Sequence, residues 1–276
     1  MEPTAIGFIG GGRITALLLQ GWRRAGRLPE KIIVSGTSSE VLDRLKAEFP
    51  EIVTTPDNLL SVGQDFIFLA LHPPAARAAL PGLAGALKPD AVLVSLAPVL
   101  RFEELANRLG GFRRLVRMIP NAPSAIGQGY NPTSFSTEVG EPERQALKSL
   151  FDPLGEHPTV PEEHLEAYAV LTAMGPTYFW HQWQVLRELG TDFGLSAKDI
   201  DQGLLRMIEG AARMLFDAGL SASGVMDTIP IRPLAESEAQ IAATYREKLV
   251  PLYKKLRTAS CEHLAKPSAD TSPKTD

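Results

Sequence analysis

Cysteine is almost absent from this chain, since Cys261 is the only one among 276 residues. A single thiol can form neither an internal disulfide nor a cysteine metal cluster. No apolar run approaches the roughly 20 residues that a membrane-spanning helix needs. The first residues also lack the basic segment and cleavage site of a secretory peptide. We therefore predict a cytoplasmic protein that has no membrane partner.

An excess of positive charge is lacking as well. The chain has 28 Lys and Arg against 32 Asp and Glu, which gives a net charge of −4 at pH 7. This balance gives no reason to expect nucleic acid as a partner. No Ser-His-Asp elbow, Walker loop or pair of histidines at metal-ligand spacing occurs, so we expect no metal. The composition is that of an ordinary globular protein, and the length allows two domains.

The most informative stretch lies at the start of the chain. An apolar strand from Ile6 to Ile9 leads into three glycines, and a helical pattern follows. Glycines permit a tight turn, and the N–H groups and positive dipole end of the helix then face an anion. This order predicts a dinucleotide site of the Rossmann type. The residues expected to bind the cofactor here are Gly10, Gly11, Gly12, Arg13 and Ile14.

Thr15 departs from the usual G-x-G-x-x-G pattern, because it stands where the third glycine is expected. That glycine allows the helix to pack closely on the strand, so Thr15 predicts a slightly wider fit. A glycine cluster alone is more often only a turn. Its place between a strand and a helix at the start of the chain favours the dinucleotide site.

The end of the second strand bears on which dinucleotide is bound. Ile32 to Ser35 reads as this strand, and no acidic residue follows before Glu40. An NAD site usually has Asp or Glu here, and a carboxylate would repel the 2′-phosphate of NADP. We expect Ser35, Gly36 and Thr37 to bind the ribose side of NADP, with NAD as the alternative because no Arg is present to clamp a phosphate. Ser38 or Ser39 can also simply cap the next helix.

Three further apolar strands complete the pattern, at residues 66–71, 91–96 and 114–118. Their alternation with helices predicts an α/β fold with a doubly wound parallel sheet. Ligands of such folds bind at the carboxyl edge of the sheet, where the strands end. Leu71, His72 and Pro73 lie at one such end, although a lone histidine is more often an ordinary loop residue. Asn58 opens a short helix as a candidate cap residue.

Asn121 follows another of these strands and lies between Pro120 and Pro123. Two prolines around one asparagine predict a rigid loop at the sheet edge. The Asn121 amide can both donate and accept hydrogen bonds, which suits a nicotinamide carboxamide or a polar substrate. A turn without any ligand is the equal alternative.

The composition changes near residue 160, where prolines and acidic residues collect, and no strong strand pattern follows. Helical stripes dominate from there on, including one at 196–219 and a last one at 233–264 that Pro251 interrupts. We predict a dinucleotide-binding domain at 1–160, an all-α domain at 161–265 and a disordered tail at 266–276. Aromatic side chains near Tyr178 favour a core or a subunit interface over a ligand cage.

Taken together, these motifs resemble the pyrroline-5-carboxylate reductase family over nearly the whole chain before the tail. The segment from Arg117 to Pro123 is the most specific, with Met118 and Ile119 exchanged relative to the family. His72 replaces a lysine of that family. The other matching segments are Ile6 to Gly12, Asp57-Asn58, Leu71 to Pro73, Thr172 to Phe179 and Glu209 to Leu215. The resemblance implies that Asn58 contacts the cofactor, because the family has a cofactor-contacting asparagine there.

The resemblance implies a fold and a chemistry. NADPH would bind the first domain and pass a hydride to the C=N carbon of a small cyclic imine, giving proline, a step of proline biosynthesis. The helical domains of two subunits would interlock into a homodimer, with a higher oligomer left open. Substrate would lie near Met174, Gly175 and Pro176.

The departures from the family fall at the substrate end. Where the family has a glycine- and threonine-rich loop for the imine carboxylate, this chain has Thr228 to Leu234, without glycine. Either Arg232 binds the carboxylate instead, or the pocket takes a bulkier or different substrate. A solvated loop residue is the plain alternative for Arg232. The proton for the imine nitrogen would come from Thr228 or Tyr178.

Two other functions stay open from sequence alone. A hydroxy-acid dehydrogenase of related architecture would need a catalytic lysine, and no lysine occurs from Phe151 through Ala197. A non-catalytic dinucleotide-binding dimer would explain the altered loop. It would bind NADPH tightly and transfer no hydride.

Overall fold

A computed structural model describes residues 5–261 of the chain. The predicted disordered tail at 266–276 and the last residues of the predicted helical domain lie outside the described residues. Within residues 5–261, no helix combines the length and the apolar character that crossing a membrane demands.

The centre of the first half is a seven-stranded sheet with the order β3-β2-β1-β4-β5-β6-β8. All neighbouring pairs are parallel except β6 with β8, and β7 pairs with β9 in a separate two-stranded sheet. The strands are β1 (Ala5–Ile9), β2 (Lys31–Ser35), β3 (Val53–Thr55), β4 (Phe66–Leu69), β5 (Val92–Ser95), β6 (Leu115–Met118), β7 (Gly129–Tyr130), β8 (Thr133–Phe135) and β9 (Gly155–Glu156).

Helices flank this sheet and then make up the second half of the chain. They are α1 (Arg13–Arg24), α2 (Ser39–Glu48), α3 (Asn58–Val62), α4 (Pro73–Ala79), α5 (Phe102–Arg108), α6 (Glu141–Phe151), α7 (Leu165–Tyr168), α8 (Thr177–Asp192), α9 (Ala197–Phe216), α10 (Ala222–Met226) and α11 (Ala235–Cys261). A short π-helix, Ala169–Ala173, follows α7 and is called the π-turn below. Pro251 lies inside α11, which continues through it as one helix, so the predicted interruption at Pro251 is wrong.

Both faces of the sheet are covered, which explains why its strands read as continuous apolar runs. On one face α1, α2 and α6 pack over Phe8, Phe68 and their neighbours. Trp22 of α1 is fully buried there, and its indole N–H donates to the Leu150 carbonyl at 2.8 Å. On the other face α3, α4 and α5 pack over a second apolar cluster that includes Ile67 and Leu93.

The strand β1 allows two very close backbone approaches. A Cβ on Gly7 would lie 1.8 Å from the carbonyl oxygen of Ser61 in α3. A Cβ on Gly10 would lie 2.5 Å from the carbonyl oxygen of Ala70, and the φ of Gly10 is +109°. Only glycine satisfies both conditions, so the centre of the sheet is built around residues without side chains.

The short strand β8 was not predicted from the sequence. Its residues, Thr133 to Phe135, are too few and too polar to stand out by hydrophobic alternation. It runs antiparallel to β6, with Arg117 opposite Ser134, and so the sheet is mostly rather than wholly parallel. The fourth strand also ends earlier than expected, at Leu69, which leaves Leu71 and His72 in the following loop.

The described residues divide into two compact units. The first comprises 5–173 together with 251–261, and the second comprises 174–250. Within the second unit α8 packs against α9, and α10 also contacts α9. In the single chain, only Gly175, Gly190 and Ile200 are buried among residues 174–250. The second unit therefore has almost no core of its own.

Candidate dinucleotide site

The glycine turn after β1 lies at the carboxyl edge of the sheet, as predicted. The Gly10 N–H donates to the Ser35 carbonyl at 2.8 Å, which ties the turn to the end of β2. Gly11 is buried, and a Cβ there would lie 3.1 Å from a methyl group of Leu42. The protein's own packing therefore accounts for the first two glycines.

Gly12 is different, because nothing in the chain requires a glycine at this position. Its φ is −76°, which suits any residue, and a Cβ added there would meet no atom within 4 Å. Gly12 is the N-cap of α1, whose first turn carries neither an acidic residue nor a side-chain cap. The open space beside the free N–H groups, which include those of Arg13 and Ile14, fits the approach of a pyrophosphate.

Thr15 closes the glycine turn from the helix side. It is fully buried, and its hydroxyl donates to the Gly10 carbonyl at 2.6 Å. In place of the close packing that a third glycine allows, this chain has a direct hydrogen bond between helix and turn. The bond fixes the orientation of the Gly10 peptide at the point where the phosphates would bind.

The end of β2 supports the predicted preference for a phosphorylated ribose, with one correction. Ser35 is fully buried and its hydroxyl donates to the Phe8 carbonyl at 3.1 Å, so this side chain does not face a ligand. Gly36 and Thr37 follow at the surface, and Ser38 caps α2 by accepting from the Val41 N–H. No carboxylate occurs among residues 31–39.

The other predicted contacts along the edge lie at the ends of β3 and β4. Asp57, rather than Asn58, caps α3, and Asn58 is the first residue of that helix. A methyl group of Leu71 flanks Gly10. His72 is the exposed N-cap residue of α4, and Pro73 is the first residue of α4. These residues border the glycine turn or follow strands that neighbour it, and their contact with a cofactor stays a prediction.

Asn121 lies after β6 at the same edge, but its side chain is already engaged. Its Oδ1 accepts from the Tyr130 N–H at 3.0 Å, and its Nδ2 donates to the Thr172 carbonyl at 3.4 Å. Its own N–H donates to Oδ1 of Asn131 at 3.2 Å. These bonds favour the turn interpretation over a direct contact between the Asn121 amide and a nicotinamide.

The predicted substrate residues belong to the second unit. Met174, Gly175 and Pro176 precede α8, and the Thr177 hydroxyl donates to the Met174 carbonyl at 2.6 Å. Tyr178 packs edge-to-face against Tyr245. Partial burial, and secondarily the neighbouring Tyr245, raises the pKa of the Tyr178 phenol. The phenol is therefore protonated at neutral pH.

Thr228 and Arg232, in the altered loop, both have partners inside the second unit. The Thr228 hydroxyl donates to the Val225 carbonyl at 2.7 Å, and Arg232 forms an ion pair with Glu238. Both members of that pair are about half exposed. A substrate carboxylate would therefore have to compete with Glu238 for the guanidinium.

Sequence reasoning missed a buried ionic cluster behind this edge. Arg117 of β6 is fully buried and donates to Glu166 at 2.7 Å and to Glu162 at 3.0 Å. The signal was a charged residue inside the otherwise apolar strand Leu115–Met118. Among residues 5–261, no group of three or more His, Cys, Asp or Glu side chains is placed to hold a metal ion.

Similarity to known proteins agrees with this site. Residues 5–98, about a third of the chain, match the family model described as NADP oxidoreductase coenzyme F420-dependent. A pyrroline-5-carboxylate reductase of Pseudomonas aeruginosa is 28% identical over 215 residues, which cover 78% of this chain and 79% of the relative.

Solved structures show the same fold. A pyrroline-5-carboxylate reductase from Streptococcus pyogenes superposes with a TM-score of 0.77 at 19% identity, over 92% of this chain and 98% of that one. A pyrroline carboxylate reductase from Plasmodium falciparum with NADP bound gives a TM-score of 0.72 at 20% identity, over 95% and 97%. The resemblance and the fold class predicted from the motifs are confirmed.

Replacing Gly12 with Ala tests whether the open space at the helix N-terminus is a binding site. The added methyl group meets nothing in the protein, so we expect the melting temperature to stay unchanged. Affinity for NADPH should fall by about tenfold or more, because the methyl group occupies the approach of the pyrophosphate. Fluorescence titration measures the affinity. Gly210→Ala, also in open space but inside α9, is the control that should leave the NADPH affinity unchanged, although its melting temperature should rise because Ala is favoured over Gly inside a helix. Full NADPH affinity in Gly12→Ala would contradict the site.

Two substitutions at Thr15 distinguish the effect of its hydroxyl on NADPH binding from the effect of its side-chain shape. Thr15→Val keeps the branched side chain and loses the bond to Gly10, so we expect the Kd for NADPH to rise about threefold to tenfold. Thr15→Ser keeps the hydroxyl and should bind like the parent protein. Isothermal titration calorimetry measures the Kd for NADPH of both variants and of the parent protein, each at the same folded fraction. Equal affinity of both variants would show that the bond does not shape the site.

Proposed function

We propose that this protein is an NADP(H)-dependent oxidoreductase that reduces the C=N bond of a small cyclic imine, pyrroline-5-carboxylate or a close analogue. The observation that carries the proposal is the open helix N-terminus at Gly12, on a sheet edge whose ribose side carries no carboxylate. A cytoplasmic location stays a prediction of the sequence.

The enzyme class and the dinucleotide are the firmest part of this function. The chain is an NAD(P)-dependent oxidoreductase: curated relatives named pyrroline-5-carboxylate reductase match over most of its length, and its first third matches an NADP oxidoreductase family. NADP(H) is its cofactor, in agreement with the bound NADP of the Plasmodium structure. The identity of the substrate is inferred.

The residues of the first unit suit each part of the cofactor. The N–H groups at the start of α1, from Gly12 onward, would hold the pyrophosphate, while Thr15 keeps the Gly10 peptide in place. Thr37 and Ser38 would donate to the 2′-phosphate, beside Gly36, whose own N–H already donates to the Thr55 carbonyl at 3.1 Å. When bound, NADPH supplies the hydride for the imine carbon, and the protein contributes alignment.

A proton must reach the imine nitrogen, and we assign the candidates Tyr178 and Thr228. The raised pKa of Tyr178 keeps its phenol protonated, so it can donate a hydrogen bond at neutral pH. The Thr228 hydroxyl must turn from the Val225 carbonyl before it can donate elsewhere.

For the substrate carboxylate we propose Arg232, released from Glu238 when substrate binds. The ion pair lies at a half-exposed position, where such pairs contribute little to stability. Replacing the Glu238 carboxylate with the substrate carboxylate therefore costs little free energy. A planar guanidinium also binds a carboxylate in bidentate fashion. Met174, Gly175 and Pro176 would line the rest of the pocket.

An assay of NADPH oxidation with pyrroline-5-carboxylate tests both the reaction and the role of Arg232. Arg232→Ala should raise the KM for the imine by about 10- to 100-fold, the range for loss of a charged hydrogen bond. Glu238→Gln should lower that KM, because it removes the competing carboxylate.

The outcomes of this assay are separable. An unchanged KM in both variants would contradict the role of Arg232. Absence of turnover by folded, NADPH-binding protein would favour the second candidate, a non-catalytic dinucleotide-binding protein. The internal partners of Thr228 and Arg232 are the observation behind that candidate.

We also propose that the helical region forms a homodimer. Residues 174–250 leave many large apolar side chains exposed, too many for a unit with three buried residues to be stable alone. A second copy of the same region would bury them, in keeping with a cofactor domain at 1–160 and a dimerisation and substrate domain at 161–265. The exposed set includes Phe179, Trp180, Leu186, Leu189, Phe193, Leu205, Met207, Leu215 and Phe216.

Light scattering coupled to size exclusion tests this assembly. The parent protein should run at twice its mass of 29.9 kDa or at a higher multiple. Leu205→Glu, at a side chain 57% exposed in the single chain, should weaken the dimer by burying a charge. Arg206→Glu is the control, because it introduces the same side chain at the next position. The Arg206 side chain is 78% exposed and lies on the polar side of α9, so this variant should keep the mass of the parent protein. A monomeric parent protein would contradict the dimer.

A further inference from the structure

The π-turn at Ala169–Ala173 is an unusual element that needs an explanation. π-helical turns are rare and are frequently found at functional sites. Here the turn follows α7, and the chain then continues directly into Met174, Gly175 and Pro176. The predicted substrate residues therefore begin where the π-turn ends.

One bond holds the π-turn from the loop after β6. Nδ2 of Asn121 donates to the Thr172 carbonyl, while Oδ1 of the same amide accepts from the Tyr130 N–H. Both ends of the Asn121 amide are thus used, and the side chain is 8% exposed. An asparagine held at both ends links the two backbone segments at a fixed distance.

A second contact holds the same turn from its other end. Glu166, on α7 directly before the π-turn, accepts from Arg117 at 2.7 Å, and both side chains are almost fully buried. Arg117 and Asn121 lie on one stretch of chain, and Glu166 and Thr172 lie on another. The two contacts therefore tie the stretch from Arg117 to Asn121 to the stretch from Glu166 to Thr172 at both ends.

We propose that Asn121 is a positioning residue: its amide holds the π-turn against the loop after β6, and the turn holds the backbone that leads into Met174. The role differs from the predicted contact with nicotinamide, because the amide acts on protein and not on cofactor. The Arg117–Glu166 pair anchors the opposite end of the turn. The catalytic readout of this inference rests on the proposed function, whereas its structural readout does not.

Asn121→Asp tests the inference with the smallest change. The aspartate keeps an oxygen for the Tyr130 N–H and replaces the donor to Thr172 with a second acceptor. We expect amide hydrogen exchange in residues 169–173 to become at least tenfold faster, while the Tyr130 amide keeps its protection. The kcat for imine reduction should fall about tenfold, and the Kd for NADPH should stay within twofold.

Asn131→Asp is the matched control. Asn131 lies in the same loop and is fully buried; its Oδ1 accepts from the Asn121 N–H and from Ser124, while its Nδ2 has no partner among the described residues. The control therefore makes the same chemical change without touching Thr172. It should leave exchange at 169–173 at the parent rate. If Asn121→Asp does not fold, Glu166→Gln loosens the other anchor and should speed exchange in the same turn.

The alternatives give distinct results. Unchanged exchange at 169–173 in the folded Asn121 or Glu166 variant would overturn the inference. A raised Kd for NADPH in Asn121→Asp with a protected turn would overturn it too, and would restore Asn121 as a cofactor contact. If the parent protein reduces no imine, the proposed function fails, while exchange still decides whether Asn121 holds the turn.

Discussion

The close approach of backbone to β1 is the constraint on which the cofactor edge depends. Gly7 lets α3 lie directly on the strand, and Gly10 lets the turn pass against the end of β4. A Cβ at either position would lie less than 3 Å from a backbone carbonyl oxygen, so the neighbouring element would have to move. Because β1 lies between β2 and β4, such a shift would also separate the strand ends that together form the edge.

The sequence predicted the parts of this site that depend on local pattern. Strand, glycine turn and helix follow one another within a few residues, and the missing acid after β2 is visible in the letters alone. Partners distant in the chain were not predictable in this way. The Ser35 hydroxyl donates to the Phe8 carbonyl, and the Asn121 amide donates to the Thr172 carbonyl. Arg232 forms its ion pair with Glu238. Each requires the folded arrangement, because the residue type allows several bonds and only the surroundings select one.

The buried charge of Arg117 shows how one residue recruits several elements. The positive charge of a buried guanidinium must be neutralised by nearby carboxylates. Here they are those of Glu162 and Glu166, which lie more than 40 residues further along the chain. Glu162 also accepts from the N–H of Phe102 at the start of α5. Ser260, near the end of α11, lies within 3.5 Å of Glu166. The cluster therefore joins β6, α5, α7 and the end of α11 in the first unit.

The three tryptophans are distributed so that each environment has its own optical signal. Trp22 is fully enclosed in the core of the first unit, whereas Trp180 is 48% exposed and Trp183 stacks on Phe179 within the second. An indole in an apolar core emits at shorter wavelength than one in water. Intrinsic emission of the unmodified protein therefore contains a component that reports on core integrity and another that reports on whatever covers the helical region. The two can be followed separately through their accessibility to a collisional quencher.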